Sequence, residues 1–460
     1  MKILHTSDWH LGRSLHGASL RDAFTLWTRH VTDTVRDLHI DALLIAGDIY
    51  DRAVPPSEMV TLLSRTLSEL ASLTTVIITS GNHDSPQRLG FGADLMREGI
   101  HIRTDARQCG NPVEVTAAGG ERALIYPIPY LDPDVARHDL AAEEPLERSH
   151  EAVMRAALGL IRESIEAEEP AAGGPTPARI IMTHEFVSGA QESDSERDIS
   201  VGGIGAIPAS LFRLGEQEGI GPIDYVALGH IHSPQRIGAH TGAPLMRYSG
   251  SPIAFSFSET APKQSVLLEL SWGEANGVGP LEPVTEVANV DPLAEAPEPA
   301  RAPAAVGPTG GAGAVETSGS GTAAPEPADE QPGRAGRPTV RTRLIPAPVW
   351  RPIATIRGSL AEILGPAHIA DREKFVKVEV TDASRPREMN PLIRQAFPHA
   401  LDVQHRPPAA SHEKRIVDVK RENPLDVLKE FLIQAGGEEA TKEELIILRQ
   451  AVEASRGREQ

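Results

Sequence analysis

The chain has 460 residues, 40% of them hydrophobic, enough for two or three domains with sizeable cores. Its 45 Lys and Arg against 64 Asp and Glu leave a formal charge of −19, which excludes binding of nucleic acid by bulk positive charge; a local positive feature or a second chain would have to meet it. One cysteine, Cys109, excludes an intrachain disulfide and a cysteine-based zinc site and suits a reducing cytosol.

The opening MKILHTSDWH has no apolar signal core and reads as a strand, and no apolar run nears the ~20 residues that span a bilayer. From residue 1 to 273, short apolar runs (MKILHTSD, DALLIAGD, TVIITSGN, RALIYPIP, ARIIMTHE, DYVALGHI) alternate with helical patterns such as 19–39, 57–72 and 148–166. Near-continuous apolarity predicts strands covered on both faces, hence a layered α/β domain. Residues 274–345 are dominated by Pro, Ala, Gly, Glu and Ser, bury too little to offset ordering, and read as a disordered linker. Residues 346–420 read as a small α+β module: FVKVEVTD a strand, PLIRQAFP a helix, LDVQH a strand. Residues 421–460 read as two amphipathic helices around a Gly-Gly turn, with stripes at Leu425, Val427, Leu428, Phe431 and Leu432 and at Leu445, Leu448 and Val452. They either pack on the small module or dock a partner.

Five polar clusters stand at the ends of the apolar runs: Asp8-Trp9-His10, Gly47-Asp48, Gly81-Asn82-His83-Asp84, Thr183-His184-Glu185 and Gly229-His230-Ile231-His232. The carboxyl ends of strands are where α/β sheets build sites, and residues i and i+2 of an extended segment point the same way. Asp8, His10, Asp48, Asn82, His184, His230 and His232 are seven oxygen and imidazole donors, too many for one ion. With one bridging carboxylate they divide into two sets of four, suiting Mn²⁺, Fe²⁺ or Zn²⁺ and Mg²⁺ less well. Two ions against two carboxylates leave a positive centre in an acidic chain, fit to attract a phosphate and activate a water. His83 is then a proton donor or transition-state stabiliser, and Asp84 orients His83 or a metal ligand. No phosphate-binding G-x-x-x-x-G-K-[ST] loop occurs. The remaining histidines, His5 among them, read as surface or helix residues.

In this order D-x-H, GD, GNHD, H and GH-x-H resemble the calcineurin-like metallophosphoesterases. DWHLGR, GDIYDRAVPP, SGNHDSPQRL, SERDISVGG, LGHIHSPQ and YSGSPIAFSFSE are similar to the family of nuclease subunits of bacterial SbcCD-type complexes, relatives of double-strand-break repair nucleases. The resemblance implies a four-layer α/β/β/α sandwich over 1–273, a capping, DNA-binding domain at 346–420, and C-terminal helices that bind a coiled-coil ATPase of SbcC type. It implies two metal ions, Mn²⁺ favoured: Asp8, His10, Asp48 and His232 on one, Asp48, Asn82, His184 and His230 on the other, with His83 catalytic. It further implies ATP-dependent 3′→5′ exonuclease and endonuclease action on DNA in repair, replication and recombination. A homodimer through helices near 57–72 and 86–97, within a heterotetramer, and a cytoplasmic, nucleoid-associated location are implied as well. Where archaeal and eukaryotic relatives carry a second histidine after GD, this chain has Asp51, followed by Arg52, which is open to two readings: a phosphate contact or an ion pair with Asp51.

Overall fold

The computed structural model describes residues 1–96, 99–168, 175–197, 199, 205–214, 222–238, 244–272, 330–331, 337–408, 445 and 447–448. The order is β1 (Lys2–Thr6), β2 (Ser14–Leu15), β3 (Ala18–Ser19), α1 (Arg21–Leu38), β4 (Ala42–Ala46), α2 (Ser57–Leu70), β5 (Thr75–Thr79), α3 (Pro86–Leu89) and β6 (Ile100–Arg103). There follow β7 (Val113–Thr116), β8 (Arg122–Pro127), α4 (Pro133–Asp139), α5 (His150–Glu166), β9 (Ala178–His184), β10 (Tyr225–Gly229), β11 (Gln235–Ile237), β12 (Leu245–Tyr248), β13 (Gln264–Ser271) and β14 (Glu330–Gln331). The last elements are β15 (Thr339–Pro346), β16 (Ile353–Gly358), α6 (Leu360–Ile363), β17 (Phe375–Val380), α7 (Met389–Ala396) and β18 (Ala400–His405).

Two sheets carry the first unit, one in the order β14-β15-β13-β1-β4-β5-β6 and one in the order β11-β12-β10-β9-β8-β7. β1, β4, β5 and β6 run parallel, as do β8, β9, β10 and β12, so the carboxyl ends within each set point one way. Alternation along the strands builds the layers. Ala42, Leu44 and Ala46 of β4 pack with Ile180 and Met182 of β9 and with Tyr225 and Ala227 of β10 in a core between the sheets. Ile181, Val226 and Leu228 face outward into a second core with Val153, Met154, Ala157 and Ile161 of α5. α1 buries Phe24, Trp27, Val31 and Val35, and α2 buries Met59, Leu63, Leu67 and Leu70, each on one stripe of its helix. The expected layered sandwich is present.

Three expectations change. The end of the span read as linker is structured: Thr339–Pro346 pairs antiparallel with all of β13, from Thr339↔Ser271 to Pro346↔Gln264. TVRTRLIP has the β-branched and alternating character of a strand, which the Pro and Gly around it obscure. The linker reading for 274–329 lies outside the described residues. The described part of 86–97, which ends at Met96, is not one helix: α3 stops at Leu89 and a single 3₁₀ turn, Ala93–Leu95, follows, because Gly90 ends the helix and Gly92 adopts φ +76°. His5 is no surface residue; it is fully buried on β1 with Nδ1 3.0 Å from the Tyr225 hydroxyl.

A second unit holds the three-stranded sheet β16-β17-β18 with α6 and α7, and buries Ile356, Ile363, Val378, Val380, Ile393 and Phe397. α6 opens on a capping box, Ser359 Oγ accepting from Glu362 N while the Glu362 carboxylate accepts from Ser359 N. The tail helices lie outside the described residues except 445, 447 and 448, which are helical. Among the described residues no helix is long and apolar enough to cross a membrane.

Candidate metal centre

The loops after β1 and β4 are zipped together: Asp8 N donates to Gly47 O (3.1 Å), His10 N to Asp48 O (2.9 Å) and Leu11 N to Ile49 O (2.9 Å). Trp9 turns away and stacks edge-on against Trp27 of α1, ring centroids 5.8 Å apart, and this sends its neighbours Asp8 and His10 to the other side. Their convergence does not come from an extended strand. Asp8 (φ 54°), His10 (φ 44°), Asp48 (φ 49°) and His230 (φ 98°) all occupy the left-handed region, four of the seven non-glycine residues that do so among the described residues. Such backbone costs about 1–3 kcal/mol per residue and persists where surrounding structure holds it.

The glycine of each motif has a steric reason. A Cβ on Gly81 would stand 2.1 Å from Asp48 Oδ1, and one on Gly47 2.3 Å from His184 Nδ1. On Gly229 it would stand 1.9 Å from Ala46 O, where β10 and β4 approach across the two sheets.

Around this packed floor the donors converge. His10 Nε2 lies 3.0 Å from His232 Nε2, His184 Nε2 3.0 Å from Asn82 Oδ1, and His230 Nδ1 3.3 Å from the same Asn82 Oδ1. Asp48 Oδ2 sits 3.4 Å from both His10 Nε2 and His184 Nε2. Asp8, His10 and His232 form one cluster whose ligand atoms all lie within 4.8 Å of one another; Asp8, Asp48 and His184 form another, and His10, Asp48 and His83 a third. All seven expected donors are thus at one place, and the Asp and His among them are buried.

Comparison with known proteins bears on this geometry. The calcineurin-like phosphoesterase family matches residues 1–234, and the Type 5 capsule protein repressor C-terminal domain matches residues 349–435. SbcD, a component of the nuclease SbcCD, from Bacillus subtilis (strain 168) is 34% identical over 289 residues, 60% of this chain and 69% of the relative. Its namesake from Escherichia coli (strain K12) is 33% identical over 292 residues, 62% of this chain and 69% of the relative. The chain belongs to the SbcD branch of the calcineurin-like phosphoesterases. That family works with divalent metal ions on phosphate esters, and the donor set fits such ions on its own chemistry.

His184 Nδ1 faces the Ala46 carbonyl at 3.0 Å, so it carries a proton there and turns Nε2 toward two acceptors, Asn82 Oδ1 and Asp48 Oδ2. Acceptors crowded this way call for a positive charge between them. Burial holds His10 and His230 well below the usual imidazole range, leaving neutral rings with lone pairs to offer. Burial also pushes Asp8 up to about 6. Burial opposes ionisation of Asp48 too, but the facing His184 and His10 outweigh it and hold the carboxyl well below the usual range. For His184 burial is likewise overcome, by the Asp48 charge, to about 10. A proton on His184 and a metal ion are two answers to the same demand of Asp48 for a cation.

The other expected residues divide. His83 is half-buried, its Nδ1 2.7 Å from the Asp51 carbonyl and its ring edge-on to His10 at 4.7 Å. Asp84 does not touch His83: its carboxylate accepts from the backbone N–H of Ile49 (3.0 Å), Tyr50 (2.9 Å) and Gly81 (2.9 Å), stapling the GD loop to the GNHD loop. Arg52 is exposed and lies 3.6 Å from Asp51 Oδ2. Ser7 and the residues behind His232 escape motif reading. Ser7 Oγ donates to Asp8 Oδ2 (2.5 Å), Glu196 Oε1 accepts from His232 N (2.7 Å), Ser195 and Glu259 back the His232 ring, and Lys263 Nζ donates to the His232 carbonyl. A buried His150–Glu185 pair, 3.0 Å, escapes it as well. SERDISVGG and YSGSPIAFSFSE stand out as family-like stretches, but no local spacing ties them to a histidine far along the chain.

Proposed function

We propose that the chain is the nuclease subunit of an SbcCD-type complex and hydrolyses DNA phosphodiesters at a centre of two divalent ions, Mn²⁺ above Mg²⁺. The observation that carries this is Asp48 Oδ2 standing 3.4 Å from both His10 Nε2 and His184 Nε2, the position of a bridging ligand between two donor sets. Asp8, His10, Asp48 and His232 hold one ion; Asp48, Asn82, His184 and His230 hold the other. Bound there, the pair supplies a Lewis-acid clamp for the phosphodiester and an activated water. Asp48 also accepts the His83 backbone N–H at 2.8 Å, so the bridging carboxylate is tied to the loop that carries His83. With Nδ1–H held by Asp51 O, His83 in its doubly protonated form keeps the Nε2 proton for the leaving oxygen or for the charge that develops on the phosphate. Asn82 is a neutral donor and keeps the centre positive, which draws phosphate into a chain of charge −19.

DNA is the substrate, in keeping with relatives that are nucleases, and contacts through phosphate leave sequence preference low. The action is ATP-dependent 3′→5′ exonuclease on duplex ends and endonuclease on single strands and hairpins, serving repair, replication and recombination in the cytoplasm at the nucleoid. Residues 1–273 are the nuclease domain, 346–420 the capping domain, and 421–460 the helices that bind the coiled-coil ATPase, a layout supported by the second domain match at 349–435. Phe91 and Leu95, 85% and 84% exposed, and Val60 on α2 at 44%, support a homodimer through this face within a heterotetramer. The test is degradation of an end-labelled linear duplex with Mn²⁺, Mg²⁺ or EDTA, beside Asp48→Ala, with and without the ATPase and ATP. Mn²⁺-dependent cleavage lost in Asp48→Ala is expected. No cleavage under any condition, with turnover of a small phosphodiester retained, refutes the nuclease reading.

A further inference from the structure

Behind His232 lies a closed polar relay that reaches the metal centre from the far side. His232 Nδ1 is 2.6 Å from Ser195 Oγ, and Ser195 Oγ is 2.6 Å from Glu259 Oε1. The Glu259 Oε1 also accepts from Phe255 N (3.1 Å), while Oε2 meets Lys263 Nζ. Lys263 Nζ in turn donates to the His232 carbonyl (3.0 Å) and to Ser251 Oγ (2.9 Å), so the relay returns to the residue it started from. Ser195 is 8% exposed and Glu259 3%. The segment that carries Ser195 is itself gripped: Arg13 Nη2 donates to Ser195 O (2.5 Å), and neighbouring Glu196 holds the His232 backbone N–H.

For a neutral His232 ring the order of protons in this relay is fixed. A serine hydroxyl has a single proton, and the carboxylate of Glu259, facing an ammonium, is its stronger acceptor. The short contact with His232 must then be donation from Nδ1–H to Ser195 Oγ. That leaves Nε2 unprotonated, and Nε2 is the atom that faces His10 across 3.0 Å. We propose that Ser195, held by Glu259, is a positioning residue that sets the tautomer and aim of His232 and thereby the affinity of one of the two metal positions, the one His232 serves. Without the hydroxyl, Nδ1 faces only Glu259 Oε1 at 3.6 Å, too far for a hydrogen bond. The ring is then free to take its proton at Nε2, where it cannot bind metal. The inference rests on the two-ion reading above and adds that the positions depend on different loops: His184 is oriented by the Ala46 carbonyl and does not share this relay.

Mn²⁺ binding to the full chain, followed by calorimetry and electron paramagnetic resonance, tests it, together with the nitrogen shifts of ¹⁵N-labelled His232 in EDTA. Ser195→Ala is expected to weaken one of two Mn²⁺ sites roughly 10–100-fold and leave the other unchanged. It is also expected to convert His232 from a pure Nδ1–H form to a mixture. Ser195→Thr, which keeps the hydroxyl, restores both. Where Ser195→Ala does not fold, Ser195→Cys, close in volume and poor as an acceptor, gives the same pattern. Two unchanged sites, or two sites weakened alike, overturn the proposal. Wild-type chain that binds fewer than two ions overturns the two-ion reading instead.

Discussion

Gly81→Ala perturbs the centre with one methyl group. Gly81 is not among the glycines with positive φ, so alanine brings no backbone strain and the effect is purely steric. The new Cβ would meet Asp48 Oδ1 at 2.1 Å and Asp48 N at 2.3 Å, whereas ordinary contact begins at 3.4 Å. The carboxylate must retreat by about 1.3 Å, and side-chain rotation alone cannot relieve it because the backbone nitrogen is crowded as well. Retreat breaks the bond from His83 N and takes Oδ2 off the point it holds between His10 and His184. A misplacement near 1 Å costs about 10²-fold in rate, close to 2.7 kcal/mol of transition-state stabilisation. The assay is hydrolysis of a phosphodiester at saturating Mn²⁺, with thermal melting in EDTA to establish folding. A folded Gly81→Ala chain with kcat within roughly threefold of wild type would mean that Asp48 does not bridge as argued.

His83→Ala should lower kcat about 10²–10⁴-fold with both Mn²⁺ sites intact by titration; retained turnover removes His83 from the chemistry. Asp84→Asn presents an amide to three backbone donors in place of a carboxylate and should cost about 2–3 kcal/mol in urea unfolding, with no loss if the staple is idle. His150 titrates above its ordinary value of 6.5: burial opposes its charge, and Glu185 and the Ile199 carbonyl, 2.8 Å from Nε2, outweigh burial. A raised folded value stabilises fully below the unfolded one and fades as pH climbs through the folded one. In EDTA, therefore, wild-type stability should fall relative to His150→Phe as pH rises from about 6. Parallel pH curves for the two chains would refute this.

Much of the centre is legible as sequence because its information is local. Apolar runs ending in GD, GNHD, TH and GH-x-H place oxygen and imidazole donors at strand ends, where parallel strands deliver them together, and the acidic chain's need for a positive site follows from counting charges. β15 is hidden because Pro-rich composition on both sides masks one strand whose partner, β13, is far along the chain. The reason for the convergence of Asp8 and His10 is hidden too: i, i+2 spacing on a strand gives the right outcome, yet left-handed backbone locked by Gly47 and Asp48 carbonyls produces it. Adjacency in sequence pairs Asp84 with His83, while three N–H groups from two loops claim its carboxylate. The chain's residues by themselves determine which donors exist, their order and the element ends that carry them. Only the tertiary structure decides which imidazole nitrogen faces in, which glycines leave room for Asp48 and His184, and that Ser195 reaches His232. These are hydrogen bonds and close contacts between residues tens to hundreds of positions apart, such as His10 to His232 at 222, and no local period encodes them.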